Sequence, residues 1–365
     1  MMRRHVKTAM AGCVGLATLI ASSSATAQTG DNVTLYGILD AGLTWISNAN
    51  GPSKTTLDTG VMQGNRLGLR GSESMGNGLT AIFQLENGFS VATGEAGQGG
   101  ALWGRQAWVG LKSDYLGSIK LGRQYDFFTD TLQAFYTPTW SAGGYSNSPL
   151  DNDRMSGQRV NQSVKYVTPS FAGIELGAMY GFPERREGQA QTGRTISFTA
   201  NYKNGNFATG AAYTEVQEAS LDISPLTGGG APNRVGGRYL RDWGIGANYA
   251  FDKVTVYGVF SQALYVAPDG QQKNHTFRNY QLGFAWRAAP NLVLGPGYGL
   301  TTLGSNKYHQ LNLTADYFLS KRTDIYTQAI IQHAQGEGAT ANVISMPSST
   351  GRNQTLLRVG IRTKF

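Results

Sequence analysis

The sequence predicts an all-β fold, a transmembrane antiparallel β-barrel of sixteen strands, and three observations lead there. Extended segments in which apolar and polar residues alternate recur along almost the whole chain, as they must when one face of every strand meets lipid and the other meets water. Beyond the first 27 residues there is no run of about eighteen apolar residues, so no membrane helix is available, and a chain that spans a membrane without helices has to close its sheet. The final segment, Thr355-Leu-Leu-Arg-Val-Gly-Ile-Arg-Thr-Lys-Phe365, is itself such a strand. Leu357, Val359, Ile361 and Phe365 share one face and Arg358, Arg362 and Lys364 the other, and the strand stops on a large apolar residue where the end of a soluble domain would fray. Composition agrees: charged residues are 15% of the chain against about 25% in typical soluble proteins, and aromatic residues reach 11% with 49 glycines for tight turns and crowded strands.

The first element is a leader. Residues 1–27 carry a basic start (Arg3, Arg4, Lys7), an apolar run from Val14 to Ile20 and the small-residue exit Ala25-Thr26-Ala27, which together read as a secretory signal cleaved before Gln28. A lipoprotein signal at Met10-Ala-Gly-Cys13 fits less well, because most of the apolar run follows the cysteine instead of preceding it. Cleavage removes 27 of 365 residues and leaves 338, residues 28–365, as one barrel domain. It also removes the only cysteine and three basic residues, so the formal charge falls from +8 to +5 and no disulfide is possible in the mature chain.

Strands are expected near 33–46, 60–71, 78–90, 101–112, 117–125, 157–168, 173–182, 192–203, 206–217, 237–251, 253–266, 276–288, 291–302, 306–319, 322–334 and 352–365. Short turns such as Asn204-Gly205, Asp252-Lys253, Ala289-Pro290-Asn291 and Ser320-Lys321 alternate with long polar loops, with only 303–305 short where a long loop is due. Short turns on the periplasmic side and long loops outside are the asymmetry of outer-membrane barrels, and an even strand count puts both termini at the periplasmic end. Outward aromatics gather beside the short turns (Tyr202, Tyr249, Phe251, Trp286, Tyr317, Phe365). In a soluble sandwich they would be core residues, but repeated at one end of many strands they describe an interfacial girdle.

Several motifs carry a resemblance. Val33-Thr-Leu-Tyr-Gly-Ile-Leu-Asp-Ala-Gly42, Asn65-Arg-Leu-Gly-Leu-Arg-Gly71, Leu79-Thr-Ala-Ile-Phe-Gln-Leu-Glu86, Arg105-Gln-Ala-Trp-Val-Gly-Leu111, Leu121-Gly-Arg-Gln124, Ser163-Val-Lys-Tyr166 and the closing Val359-Gly-Ile-Arg-Thr-Lys-Phe365 resemble, in order, the Gram-negative general diffusion porins. The resemblance implies a homotrimer in outer-membrane lipid, a third external loop folded into each pore, and passive passage of small hydrophilic solutes and ions. The terminal Phe365 is similar to the signal by which the barrel assembly machinery captures its clients.

Selectivity in such a pore comes from fixed charges at a narrow passage. Alternation in the second strand places Arg66 and Arg70 on the inward face, opposite Leu67 and Leu69. The resemblance adds Arg105, Arg123 and Arg159 to Arg66 as a basic wall facing the constriction loop. Guanidinium stays charged at any relevant pH and its fork holds a passing carboxylate or phosphate loosely; the alternative is that these arginines only pair with loop carboxylates and keep the loop folded. The loop itself is the long segment 126–156, which supplies Asp126, Asp130, Asp151 and Asp153. Relatives of this kind often carry a Pro-Glu-Phe-Gly-Gly type segment there, whereas this chain has Pro138-Thr139-Trp140-Ser141-Ala142-Gly143-Gly144. An acid is replaced by threonine, so the local balance shifts positive and an anion preference is expected, tuned down by Asp126, Asp130 and the inward Glu86.

Rival functions are weaker. A barrel lipase or protease needs a nucleophile with its base, but His275, His309 and His333 stand in no triad setting, and neither Gly-x-Ser-x-Gly nor His-Glu-x-x-His occurs. No enzyme activity, metal, cofactor or nucleic-acid partner is expected. The glycine-rich stretch from Gly94 to Gly100 lacks the lysine of a phosphate-binding loop. A substrate-specific channel would line its path with aromatics, for which Tyr36, Tyr125, Phe127 and Phe128 are the candidates, and a purely structural barrel or adhesin is the third alternative.

Overall fold

The computed structural model describes residues 32–183, 193–228, 231–268 and 273–365; the expected leader 1–27 and its junction at Gln28 lie outside the described residues. Sixteen spanning strands form one antiparallel sheet: β1 (Asn32–Ile46), β2 (Lys54–Thr59 continued by Arg66–Gly76), β3 (Leu79–Gly88), β4 (Gln106–Ser113), β5 (Gly117–Tyr125), β6 (Arg159–Val167), β7 (Ile174–Gly181) and β8 (Thr195–Asn204) make the first half. β9 (Phe207–Gln217), β10 (Tyr239–Ala250), β11 (Val254–Val266), β12 (His275–Ala289), β13 (Leu292–Leu294 continued by Gly297–Leu303), β14 (Asn306–Phe318), β15 (Thr323–Gln335) and β16 (Asn353–Lys364) make the second. Each strand pairs with its sequence neighbour, and β1 pairs with β16 from Ile38 opposite Lys364 to Ile46 opposite Leu356, so the sheet closes and has no edge. Among the described residues no helix is long and apolar enough to cross a membrane.

Alternation decides which side chains face lipid. On β16, Leu357, Val359 and Ile361 are exposed on the outside while Leu356, Arg358 and Arg362 are buried inside. The same holds on β10, where Trp243, Ile245 and Tyr249 point out and Asp242 is buried. Of the outward aromatics expected for a girdle, Tyr249, Phe251, Trp286, Tyr317 and Phe365 are exposed and Tyr202 is half-buried. Closure runs to the last residue: the Phe365 N–H donates to the Gly37 carbonyl at 3.1 Å and the Gly37 N–H to the Phe365 carbonyl at 3.0 Å. The Phe365 ring lies flat over Gly37, where an added Cβ would stand 2.3 Å from it.

Two strands are interrupted within their expected spans, and the fourth, expected from 101, begins at Gln106. The second strand, expected at 60–71, begins at Lys54 and leaves the ladder over residues 60–65 before resuming at Arg66. The thirteenth, expected as continuous over 291–302, is broken at Gly295-Pro296, because proline has no N–H to give a ladder. The third external loop does fold into the barrel, and it is ordered rather than structureless. It carries helix α1 (Phe127–Leu132), helix α2 (Thr137–Trp140) and three short 3₁₀ turns. Asp126 starts α1 by accepting the Thr129 N–H at 3.0 Å. Its apolar face, Phe128 and Leu132 with Phe135, Tyr136 and Met155, packs inside the barrel against Ala212 and Val259. Gly246 makes room, since a Cβ there would sit 2.6 Å from Phe135.

A second segment packs inside the barrel beside it, over β10 to β15. Residues 218–228 include the short helix Ser224–Thr227, and Ile223 and Leu226 pack among Leu240, Tyr265, Phe277, Tyr308, Ala339 and Ala341. Tyr308 donates its hydroxyl to the Leu226 carbonyl at 2.9 Å. The third loop covers the polar inward residues of β11 to β14: Ser261 donates to Asp153 at 2.6 Å, Asn279 to Asp153 at 3.1 Å and Gln310 to the Tyr145 carbonyl at 3.0 Å, and all three are buried.

Candidate functional site

With β9 to β14 covered above mid-height, open space remains against the wall made by the first strands. It forms a lumen of about 1210 Å³, bounded by Arg66, Arg105 and Tyr125 from the wall and by Asp130, Trp140 and Tyr145 from the third loop.

The basic wall is built strand by strand. Inward positions of β2 and β3 bring Arg66 opposite Gly88 and Gly68 opposite Glu86, and Arg105 stands just before β4. Glu86 is buried at the centre of the group. It accepts from Arg105 Nε at 2.6 Å and from the Tyr36 hydroxyl at 2.8 Å, and it lies 3.9 Å from Arg66 Nη1. The Tyr125 hydroxyl then accepts from both Arg105 Nη2 and Arg159 Nη2, each at 2.9 Å, and the Arg159 guanidinium lies 4.7 Å from the Tyr125 ring centre. One carboxylate and one phenol therefore hold three like-charged guanidiniums side by side, and the group keeps a positive surplus. The other two expected arginines are placed differently. Arg123 bonds the Gly104 carbonyl at 2.8 Å and the Asn161 side chain, and Arg70 sits 5.4 Å over the Tyr36 ring in an exposed position.

The expected acids divide. Asp130 borders the lumen and pairs with Lys165. Asp126 is fully buried; besides capping α1 it pairs with Arg154 at 3.4 Å. Helix capping turns its carboxylate back into the loop, and Asp126 is not among the residues that line the lumen. Asp153 is also buried, and burial beside Asp151 pushes its carboxyl up to about 6.

Lys165 escaped the sequence reading although it stands in the quoted Ser163-Val-Lys-Tyr166 motif. Its ammonium bonds the Tyr125 carbonyl at 2.9 Å and lies 4.2 Å over the Phe127 ring. Alternation with the outward Tyr166 was the available signal. A second charged group also went unread. Arg358, wholly buried on β16, contacts Asp40 at 3.3 Å and Asp58 at 3.6 Å, and Arg362 contacts Asp316 at 3.2 Å and Asp324 at 3.0 Å. Among the described residues that line the lumen, six basic side chains (Arg66, Arg105, Lys253, Arg287, Arg362, Lys364) stand against four acidic ones (Asp58, Asp130, Asp252, Asp316). Among the described residues no group of three His, Cys, Asp or Glu is arranged to hold a metal ion.

The chain is similar to proteins of known kind. It is 30% identical to an outer membrane porin protein of Bordetella pertussis, over 85% of this chain and 91% of that one. It is also 30% identical to outer membrane porin protein 32 of Delftia acidovorans, over 96% and 99%. Among solved structures, the anion-selective porin from Comamonas acidovorans superposes with a TM-score of 0.76 at 23% identity, covering 92% of this chain and all of that one. The family model for Gram-negative porins matches residues 12–334, and the chain belongs to that family.

Proposed function

We propose that this porin passes small anions in preference to cations, and that Arg66, Arg105 and Arg159 supply the preference. As a Gram-negative porin of the outer membrane it is a water-filled channel for passive diffusion of small hydrophilic solutes and ions. The observation that supports the anion reading is the arrangement around Glu86 and Tyr125: three guanidiniums are held by one carboxylate and one neutral phenol. The similarity in fold to the anion-selective porin from Comamonas acidovorans points the same way. Arg123, linked to the loop after β3, and Arg70, on Tyr36, contribute to the field from further off, and Glu86 and Asp130 reduce it.

The test is the zero-current potential of the purified protein in a planar bilayer under a potassium chloride gradient. Anion selectivity in dilute salt that fades in concentrated salt is expected, because these charges face a wet pore. Cation selectivity in dilute potassium chloride would overturn the proposal. The remaining parts of the reading are a leader cleaved before Gln28, capture of the Phe365 strand by the barrel assembly machinery, and a homotrimer seated in lipid. The trimer form of a structurally similar Vibrio cholerae outer membrane protein is in keeping with the last. Mass spectrometry of the mature N-terminus tests the leader, and a start other than Gln28 rejects that junction.

A further inference from the structure

We propose that Tyr145 is the positioning residue that fixes the tip of the constriction loop, through Asp58 and the buried Arg358, and so sets the open cross-section of the pore. The proposal rests on the reading of the chain as a diffusion pore. It begins with the break in β2. Over residues 60–65 the strand leaves β1 and turns into the lumen, which Gly60, Val61, Met62, Gln63 and Gly64 border. The break is a built feature. The Gly60 N–H donates to the Asp40 carbonyl at 2.9 Å, the Gln63 N–H to the Asp40 carboxylate at 3.0 Å, and the Asp40 N–H to the Asn65 side chain at 2.6 Å. A strand that gives up ladder bonds in mid-wall needs such replacements.

The tip of the loop rests on this break. The Gly144 N–H donates to the Val61 carbonyl at 2.6 Å. Gly143 has φ +59° and a Cβ there would lie 2.2 Å from the same carbonyl, so only glycine allows the approach. Next along the loop, the Tyr145 ring packs with Val61, Ile330, Val343 and Leu356, and its hydroxyl donates to the Asp58 carboxylate. Asp58 is held in turn by Arg358, which also donates to Thr44 at 2.9 Å, to Tyr326 at 3.1 Å and to Asp40 at 3.3 Å. The charge network therefore lies in the rigid wall, and Tyr145 is the loop's polar handle on it. The other side of the loop is held separately, for example by the Thr137 N–H on Gln281 at 3.1 Å. Loosening the Tyr145 side should free the tip toward the lumen while the rest of the loop stays docked.

Tyr145→Phe keeps the ring and deletes the hydroxyl. A hydrogen bond to a charged acceptor implies about a tenfold rise in the population of the displaced tip, the equivalent of about 1.4 kcal/mol. Single-channel recording should show new subconductance events and raised open-channel noise, with the sign of ion selectivity unchanged. Asp58→Asn should act in the same direction, and the Tyr145→Phe, Asp58→Asn double variant should be no noisier than the stronger single one, since both cut one link. A merely stabilising contact would shift melting temperature and leave the current trace alone. Folded Tyr145→Phe protein with wild-type noise and no new current levels would overturn the proposal. Loss of anion selectivity in the wild type would instead count against the functional reading and leave this one standing.

Discussion

Removing Arg105 should shift selectivity by an amount that the geometry allows to be worked out. An ion passing about 5 Å from a guanidinium in water-like surroundings feels about 0.8 kcal/mol, which a Debye length of about 10 Å at 0.1 M salt reduces to about 0.5 kcal/mol. The loss acts with opposite sign on anions and cations. The permeability ratio should therefore fall by about 1 kcal/mol, or about fivefold, at 0.1 M, and by less than about twofold at 1 M where the Debye length is about 3 Å. Arg105→Ser should exceed Arg66→Ser, because Arg105 bonds Glu86 at 2.6 Å whereas Arg66 lies 3.9 Å away, so its loss leaves the Glu86 charge least compensated. The decisive control is Arg105→Ser with Glu86→Gln. That pair of changes keeps the local charge, and it should return the reversal potential close to wild type even though the passage is wider. The assay is the zero-current potential under a fixed potassium chloride ratio at both salt levels. If Arg105→Ser leaves it unmoved, or the double variant stays as far from wild type as the single one, selectivity is not set at this group.

Three further outcomes follow from particular contacts and a fourth from the proposed trimer. Asp130→Asn should raise anion preference modestly by the same bilayer measurement, since Asp130 borders the lumen, whereas Asp126→Ala should leave the reversal potential alone and cost about 1 kcal/mol of stability through the lost helix cap, read by thermal melting. Asp153 has a carboxyl pushed up to about 6 from 3.8 by burial and by Asp151; the folded state then holds more protons than the unfolded one between those values, so this group's contribution to stability falls as pH rises through the window. Asp153→Asn removes that dependence, and its melting temperature relative to wild type should be more favourable at pH 7.5 than at pH 4; equal differences would reject the burial argument. Deletion of Phe365 should sharply lower the outer-membrane level of assembled protein, because its main chain makes both closing bonds to Gly37; normal levels by heat-modifiability on gels would refute this. Light scattering in mild detergent should give a trimer that dissociates on heating, and a monomer with native strand content by circular dichroism would reject it.

Alternation was a sufficient guide to the barrel because each spanning strand meets two solvents, and lipid and water sort side chains with a period of two. Thus Trp243, Ile245 and Tyr249 on β10, and Leu357, Val359 and Ile361 on β16, face outward as their spacing requires. The same rule found Arg66 and Glu86. It does not reach contacts made across the lumen. Asp126 reads as one more loop acid until the chain turns helical behind it and takes its carboxylate for a cap. The break in β2 has no breaker stronger than Gly60 and Gly64; its replacement bonds come from Asp40 on a neighbouring strand and its cover from Gly143 and Gly144, more than eighty positions away.

Arg358 is the residue where the two kinds of information meet. Its spacing places it inward, as for any wetted lumen arginine, but its wholly buried position between Asp40 and Asp58 gives it structural work instead. Taking a charge out of water is costly unless paired and hydrogen-bonded, and this arginine meets both conditions with five neighbouring groups. Arg66 and Arg105 border the lumen and share one carboxylate. The same side chain at the same inward parity thus serves the field in one part of the wall and the loop's seat in another. What separates the roles is the number of carboxylates per guanidinium, two for Arg358 and one shared between Arg66 and Arg105, and that ratio is set by which strands lie side by side.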